Sequence, residues 1–222
     1  MQVWENVMLR LWGRKSSVNV QKALWLAFEL GLELETPQVG GSYGGLDHPA
    51  YAALTPMKLI PVLQDGELAI WESHAILRYL AAKYGAPEFW PETPADRSWQ
   101  DRWMEWSQAH LQPTFMNGVF WGLYRTPEAQ RDLPAIERAV VASGQAFTKV
   151  EEALADGRVL GGASPSLADI PIGALLYRYF SLDIARPPLP RLEDWYARLC
   201  DRPAYRNSVM TPFDELKGRL SF

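Results

Sequence analysis

The sequence predicts an α/β layer followed by an all-helical region, and three observations carry that expectation. Apolar residues alternate at Val7, Leu9 and Leu11, then switch to helical spacing at Val20, Leu24, Ala27 and Phe28, a change of period from 2 to 3.6. Lys58 to Ala75 reads as strand, turn, strand and helix start, with Asp65-Gly66 as the hairpin dipeptide between two apolar runs. Beyond Pro94 the apolar spacing is helical in segment after segment.

Taken in order, the first strand ends in a turn at Gly13-Arg14-Lys15-Ser16-Ser17, and a helix begins near Val18 and stops at Gly31. Ser16 or Ser17 is therefore placed as its N-cap. Leu32 to Thr36 can form a second strand. The glycine-rich loop Gly40 to Gly45 has the wrong spacing for a phosphate-binding loop and reads as a connection. Asp47-His48-Pro49 can cap a helical turn through Ala53, with His48 a surface loop residue, and Thr55-Pro56 ends that turn.

Ile60 to Leu63 and Leu68 to Trp71 are the next two strands. Pro61 cannot donate to a sheet ladder, so it marks a place where backbone is presented to something else, and a cis Ile60-Pro61 bond would be a deliberate feature there. The hairpin returns Glu72-Ser73 beside Ile60. A helix over Ser73 to Tyr84, closed by Gly85, then turns its free N–H groups and positive dipole end toward the same place, which suits a carboxylate.

Ala86 to Asp96 holds three prolines among acidic residues, the composition of a linker. Thr93-Pro94 fits an N-cap and first helical position. Trp99, Trp103 and Trp106 recur at helical spacing, and Pro113 is expected to interrupt or kink that helix. Pro134 to Ala155 reads as a long helix ended by Gly157, and Ser166-Leu167-Ala168-Asp169 as a capping signal for a helix over Ile170 to Phe180. Shorter helices follow over Pro190 to Asp201 and Ala204 to Val209. Cys200 falls among apolar residues at helical spacing and is expected to be an inert packed thiol.

Composition excludes several classes. A net charge of −4 over 222 residues, with no basic run, argues against nucleic acid as a partner. No segment reaches the roughly 18 uninterrupted apolar residues of a membrane span, and Met1 to Asn6 lacks the basic start and apolar run of a leader. One cysteine can form neither an internal disulfide nor a CxxC pair. The expected address is the cytoplasm, and no metal is expected.

The Ile60-Pro61 before a strand, the Glu72-Ser73-His74-Ala75-Ile76 at the next helix start, the serine after the first strand and the order of elements together resemble a glutathione transferase. The Ser17-Val18-Asn19 pattern is most similar to bacterial theta-like and nu-like members. The resemblance implies a thioredoxin-like glutathione-binding domain over residues 1–85, a linker over 86–96, an all-helical C-terminal domain over 97–222, and a homodimer. It implies glutathione as co-substrate and a small apolar electrophile, peroxide or disulfide as its partner, with no metal, nucleic acid or membrane.

Glutathione needs a partner for its γ-glutamyl ammonium and carboxylate, backbone pairing for its peptide unit, and a means of ionising its thiol. Glu72 and Ser73 can supply the first and Ile60, ahead of Pro61, the second. A thiol with pKa near ~8.5 needs about 2.7 kcal/mol to fall by ~2 units, and one hydrogen bond to a charged group supplies ~1.5–3 kcal/mol. Ser17 is the expected donor, with Asn19 second and Ser16 as the alternative. Relatives often carry a lysine where Leu59 stands, so Lys58 is a candidate for the glycyl carboxylate, with a solvated surface side chain as the alternative. Arg14, Lys15 and His74 can also face the site, and Trp12, Met116, Phe120, Tyr124 and Tyr177 are candidates for the electrophile pocket. The leading function is transfer of glutathione to an electrophile. The alternatives are a glutathione-dependent disulfide reductase or peroxidase, and a non-catalytic ligand-binding or dimerising module of the same fold.

Overall fold

The computed structural model describes residues 8–157 and 160–221. Val7, the first residue of the predicted strand alternation, lies outside them. A four-stranded mixed sheet of order β2-β1-β3-β4 is built from β1 (Leu9–Trp12), β2 (Leu34–Glu35), β3 (Val62–Asp65) and β4 (Leu68–Trp71). β1 runs parallel to β2 and antiparallel to β3, and β3 and β4 form the hairpin, with Asp65 opposite Leu68. Helix α1 (Val18–Glu29) crosses from β1 to β2, α3 (Ser73–Tyr84) follows β4, and α2 (Pro49–Ala52) is the single turn expected before β3, with the His48 ring accepting from the Ala50 amide.

Two strands begin later than the apolar runs suggest. The Leu32 amide is consumed by the Ala27 carbonyl in closing α1, so β2 shrinks to two residues. Pro61 has no amide to donate, so pairing starts at Val62, opposite Trp12.

Alternation then sorts the sheet's two faces. Leu9, Leu11 and Leu63 point into the main core with α1 and α3, while Val62, Val39 and Tyr51 form a smaller cluster on the other side. This is a thioredoxin-like domain.

The second domain is helical. α4 (Pro94–Trp106), capped by Thr93 Oγ1 on the Asp96 amide, continues without a break through Ser107–Arg125 in a wider i→i+5 winding that contains Pro113. The expected interruption is thus replaced by a change of winding, since a proline within a helix is tolerated where its turn loosens. α5 (Leu133–Asp156), α6 (Asp169–Ser181), α7 (Pro190–Asp201) and α8 (Pro203–Ser208) complete it. Phe115, Phe147 and Tyr179 form its aromatic centre, with Phe147 and Tyr179 stacked at 3.9 Å. The Ser166 signal works through Asp169, which accepts from the Ser166 and Gly161 amides at 2.7 Å each.

α1 is buried from both sides and joins the domains. Trp25 packs edge-on against Tyr205 of α8, and a Cβ at Gly173 of α6 would lie 2.7 Å from the Trp25 ring. Arg202 clamps the far end of α1 through two hydrogen bonds to Glu29. No helix of the described residues is long and apolar enough to cross a membrane.

Candidate active site

The loop before β3 and the first turns of α1 and α3 meet in one pocket. Asn19, Thr55, Ile60, Pro61, Glu72 and Ser73 line it, and the Ile60-Pro61 bond is cis. Gly13, at the end of β1, permits this closeness: its φ is +145°, and a Cβ would stand 2.5 Å from the Val20 side chain and 3.2 Å from Ile60 Cβ.

Glu72 is the N-cap of α3 at φ +70°, ψ 117°, a conformation that costs a non-glycine residue roughly 1–3 kcal/mol. Its exposed carboxylate makes no capping bond, whereas Ser73, the first residue of the helix, is buried against the pocket. Asn19 adds a buried side-chain oxygen without a hydrogen-bond partner. A buried acceptor left unmade costs about 1–3 kcal/mol.

The two serines of the first turn differ. The hydroxyl of Ser16 donates to Glu215 and accepts from Arg14 Nη1 at 2.5 Å, and its carbonyl accepts from Arg178 Nη2 at 2.6 Å. Ser17 is the N-cap of α1 by its extended backbone (φ −82°, ψ 124°), yet its hydroxyl makes no capping bond. Beside Lys15 and Ser16 lies a cleft of about 580 Å³ between the domains, walled also by Gln38, Tyr43, Thr211 and Asp214.

The remaining expected residues scatter. Lys58 reaches away to Asp47 on the surface at 2.7 Å, and Leu59 is 61% exposed with its carbonyl held by the Tyr51 hydroxyl. Phe120, Tyr124 and Tyr177 do converge, but around Phe213 of the C-terminal segment, at centroid distances of 5.0–5.8 Å. These rings pack on one another through Phe213, and Met116 is buried in the same core. Trp12 does not join them. It lies on the opposite face of the sheet, edge-on to Tyr51, with its indole N–H donating to Gln64.

Three residues around the site escaped the sequence reading. Arg178 is fully buried on α6, donating to Gln21 and Ser16 and lying over Phe120 and Phe213. Burial, then the charge of Arg14, pushes its guanidinium down to about 9. Lys22, on the turn of α1 after Asn19, is equally buried. Glu215 comes from a tail far away in sequence. The signal for the first two was a cation inside a helix otherwise apolar around it, in V-Q-K-A-L-W and L-L-Y-R-Y-F. Cys200 is half-buried, with its thiol pushed up by burial, and no group of metal-ligating side chains occurs among the described residues.

A sheet of this order with a cis-proline pocket at the N-terminus of α3, backed by a helical domain, defines a thioredoxin-like two-domain protein. The chain belongs to the glutathione S-transferase family. Residues 7–82 match the family's N-terminal domain and residues 134–198 its C-terminal domain. It is 38% identical to glutathione S-transferase GstB of Escherichia coli over 92% of this chain and 99% of that one. It is 30% identical to glutathione S-transferase 3 of Zea mays over 90% and 93%. A theta class glutathione S-transferase from Xanthomonas axonopodis pv. citri, solved with glutathione bound, superposes with a TM-score of 0.84 at 47% identity, covering 92% of this chain and 98% of that one.

Proposed function

We propose that the protein binds glutathione in the Ile60–Ser73 pocket and stabilises its thiolate for attack on an electrophile. The observation that carries this reading is the meeting of a cis-proline loop, an unmade Asn19 acceptor and the α3 N-terminus at one small concavity. The γ-glutamyl carboxylate docks on Ser73 and the free amides of α3, and its ammonium pairs with the exposed Glu72 carboxylate. Ile60 exchanges backbone hydrogen bonds with the cysteinyl unit. Lys58, turned toward Asp47, must give up that contact if it is to meet the glycyl carboxylate.

The thiol then lies toward the first turn of α1, where helix dipole and hydroxyl donor combine. Ser17 is favoured as donor because its hydroxyl is not spent on capping, while that of Ser16 is committed to Glu215. Asn19 can contribute its amide. The electrophile is received in the cleft beside Lys15, and the residues act by positioning and charge stabilisation without a covalent enzyme intermediate. The domain boundary falls in residues 86–96, and the working form is a cytoplasmic homodimer.

An ultraviolet titration of bound glutathione from pH 5 to 9, with Ser17→Ala alongside, tests this. A thiol pKa about 2 units below ~8.5 in the parent, restored in the variant, is expected. Binding with an unshifted thiol in the parent rejects the transferase mechanism, and equal shifts in both proteins reject Ser17 as the donor.

A further inference from the structure

Lys22 is 1% exposed, and its ammonium touches only neutral groups: His74 Nε2 at 3.3 Å, Gln112 Oε1 at 2.9 Å and Gln108 Oε1 at 3.5 Å. Among the described residues it forms no ion pair with a carboxylate. A buried ammonium is disfavoured unless paired, and a methionine would fill the same space at less cost. Glu72 at the pocket rim favours the charge from a distance, but no carboxylate touches it, so the buried ammonium is left short of an anion close by.

Its position says where that anion comes. Lys22 lies one helical turn beyond Asn19, which lines the pocket, and its partner His74 directly follows Ser73, which lines it too. The Lys22–His74 pair is thus the layer behind the wall against which the α-carboxylate docks. Ser73, where the carboxylate docks, is buried beside His74, whereas Glu72, where the ammonium is held, is exposed and its charge is screened by solvent.

We infer that Lys22 is the buried counter-charge for the α-carboxylate of the ligand's amino-acid end and takes up a proton from solvent when that carboxylate docks. It acts as a positioning residue through His74, and it favours ligands that carry a carboxylate at that end. The inference rests on the reading of this pocket as the γ-glutamyl site. The groups around the pair agree. Burial pushes the Lys22 ammonium down to about 7, opposed by Glu72, so near neutral pH the ligand-free lysine is only partly charged. Burial, then Lys22, then Arg78, holds His74 far below the ordinary imidazole range, so it stays neutral and can accept. Gln108 and Gln112 carry no charge, and Arg78, one turn along α3, is satisfied by Asp101 and Glu105.

Calorimetric titration of S-methylglutathione, which has no thiol proton to release, in buffers of different ionisation enthalpy tests this. At pH 7.5 the parent should take up about half a proton per site, and Lys22→Met close to none. Should the variant fail to fold, the parent's own pH profile decides: affinity should fall about 3- to 10-fold from pH 6.5 to 8.0 as the ligand-free lysine loses its proton. Binding by the parent without proton uptake, uptake unchanged in Lys22→Met, or a flat affinity profile overturns the inference and leaves the glutathione site standing. Failure of the parent to bind S-methylglutathione at any pH rejects the site and the inference together.

Discussion

Arg178 Nη2 donates to the Ser16 carbonyl across 2.6 Å, so a side chain of α6 in the helical domain holds the turn that leads into α1. The same guanidinium fixes Gln21 on α1 at 2.8 Å. The two domains therefore share one rigid element, and the geometry at the start of α1 is set from outside the domain that contains it.

Replacing Arg178 by Met should leave the Ser16 carbonyl and the Gln21 amide unsatisfied in a dry interface, at about 1–3 kcal/mol each. Part of that is offset because no acidic partner is left behind. A net loss of about 2 kcal/mol is expected in urea unfolding, together with a drop in kcat/KM larger than stability alone explains.

Glu72, proposed above as the partner of the ligand's ammonium, stores strain at φ +70°. Glu72→Gly should raise unfolding stability by about 1 kcal/mol, because glycine adopts positive φ without the Cβ clash. The same change should weaken glutathione binding, read by calorimetry. Gain of stability with undiminished affinity would remove Glu72 from the site.

Lys22 makes stability depend on pH. Its folded-state pKa of about 7 lies below the ~10.4 of an unfolded chain, so between these values the unfolded state binds more protons. Stability of the ligand-free protein should accordingly rise with pH above 7, by at most about 1.4 kcal/mol per pH unit, and fall as pH drops through 7. Urea unfolding at pH 7, 8 and 9 should show the slope in the parent and its loss in Lys22→Met.

Gly173→Ala gains about 1 kcal/mol of helix propensity on α6 but drives a methyl to 2.7 Å from the buried Trp25 ring. Overpacking costs about 1–3 kcal/mol, and the ring is held by Tyr205 and by its own hydrogen bond to Glu29. The steric term should win. A lower Tm is expected, with loss of the near-ultraviolet signal of the interface.

Much of this was legible in the chain. The hairpin at Asp65-Gly66, α3 over Ser73–Tyr84, the Thr93 cap and the Ser166–Asp169 signal all follow from local chemistry, because turns, caps and period depend on residues a few places apart. Pro61 marked the presented loop for the same reason. Misplaced strand starts at Leu32 and Ile60 had local causes as well, but ones that appear only once each amide's partner is known.

What the residue order determined by itself, then, is the sequence of elements and the pairing of Ile60-Pro61 with Glu72-Ser73, since the hairpin between them leaves no other arrangement. Tertiary structure alone decided the rest. Ser16 was distinguished from Ser17 by Glu215 and Arg178, which approach from 199 and 162 residues away. Phe213 of the C-terminal segment packed against Phe120, and Trp12 turned to the far face of the sheet. Lys22 acquired its meaning only when α3 and the extension of α4 closed over it. Hydroxyl commitment, cavity shape and the charge state of a buried amine depend on which distant surfaces exclude water from them, and no local pattern encodes that.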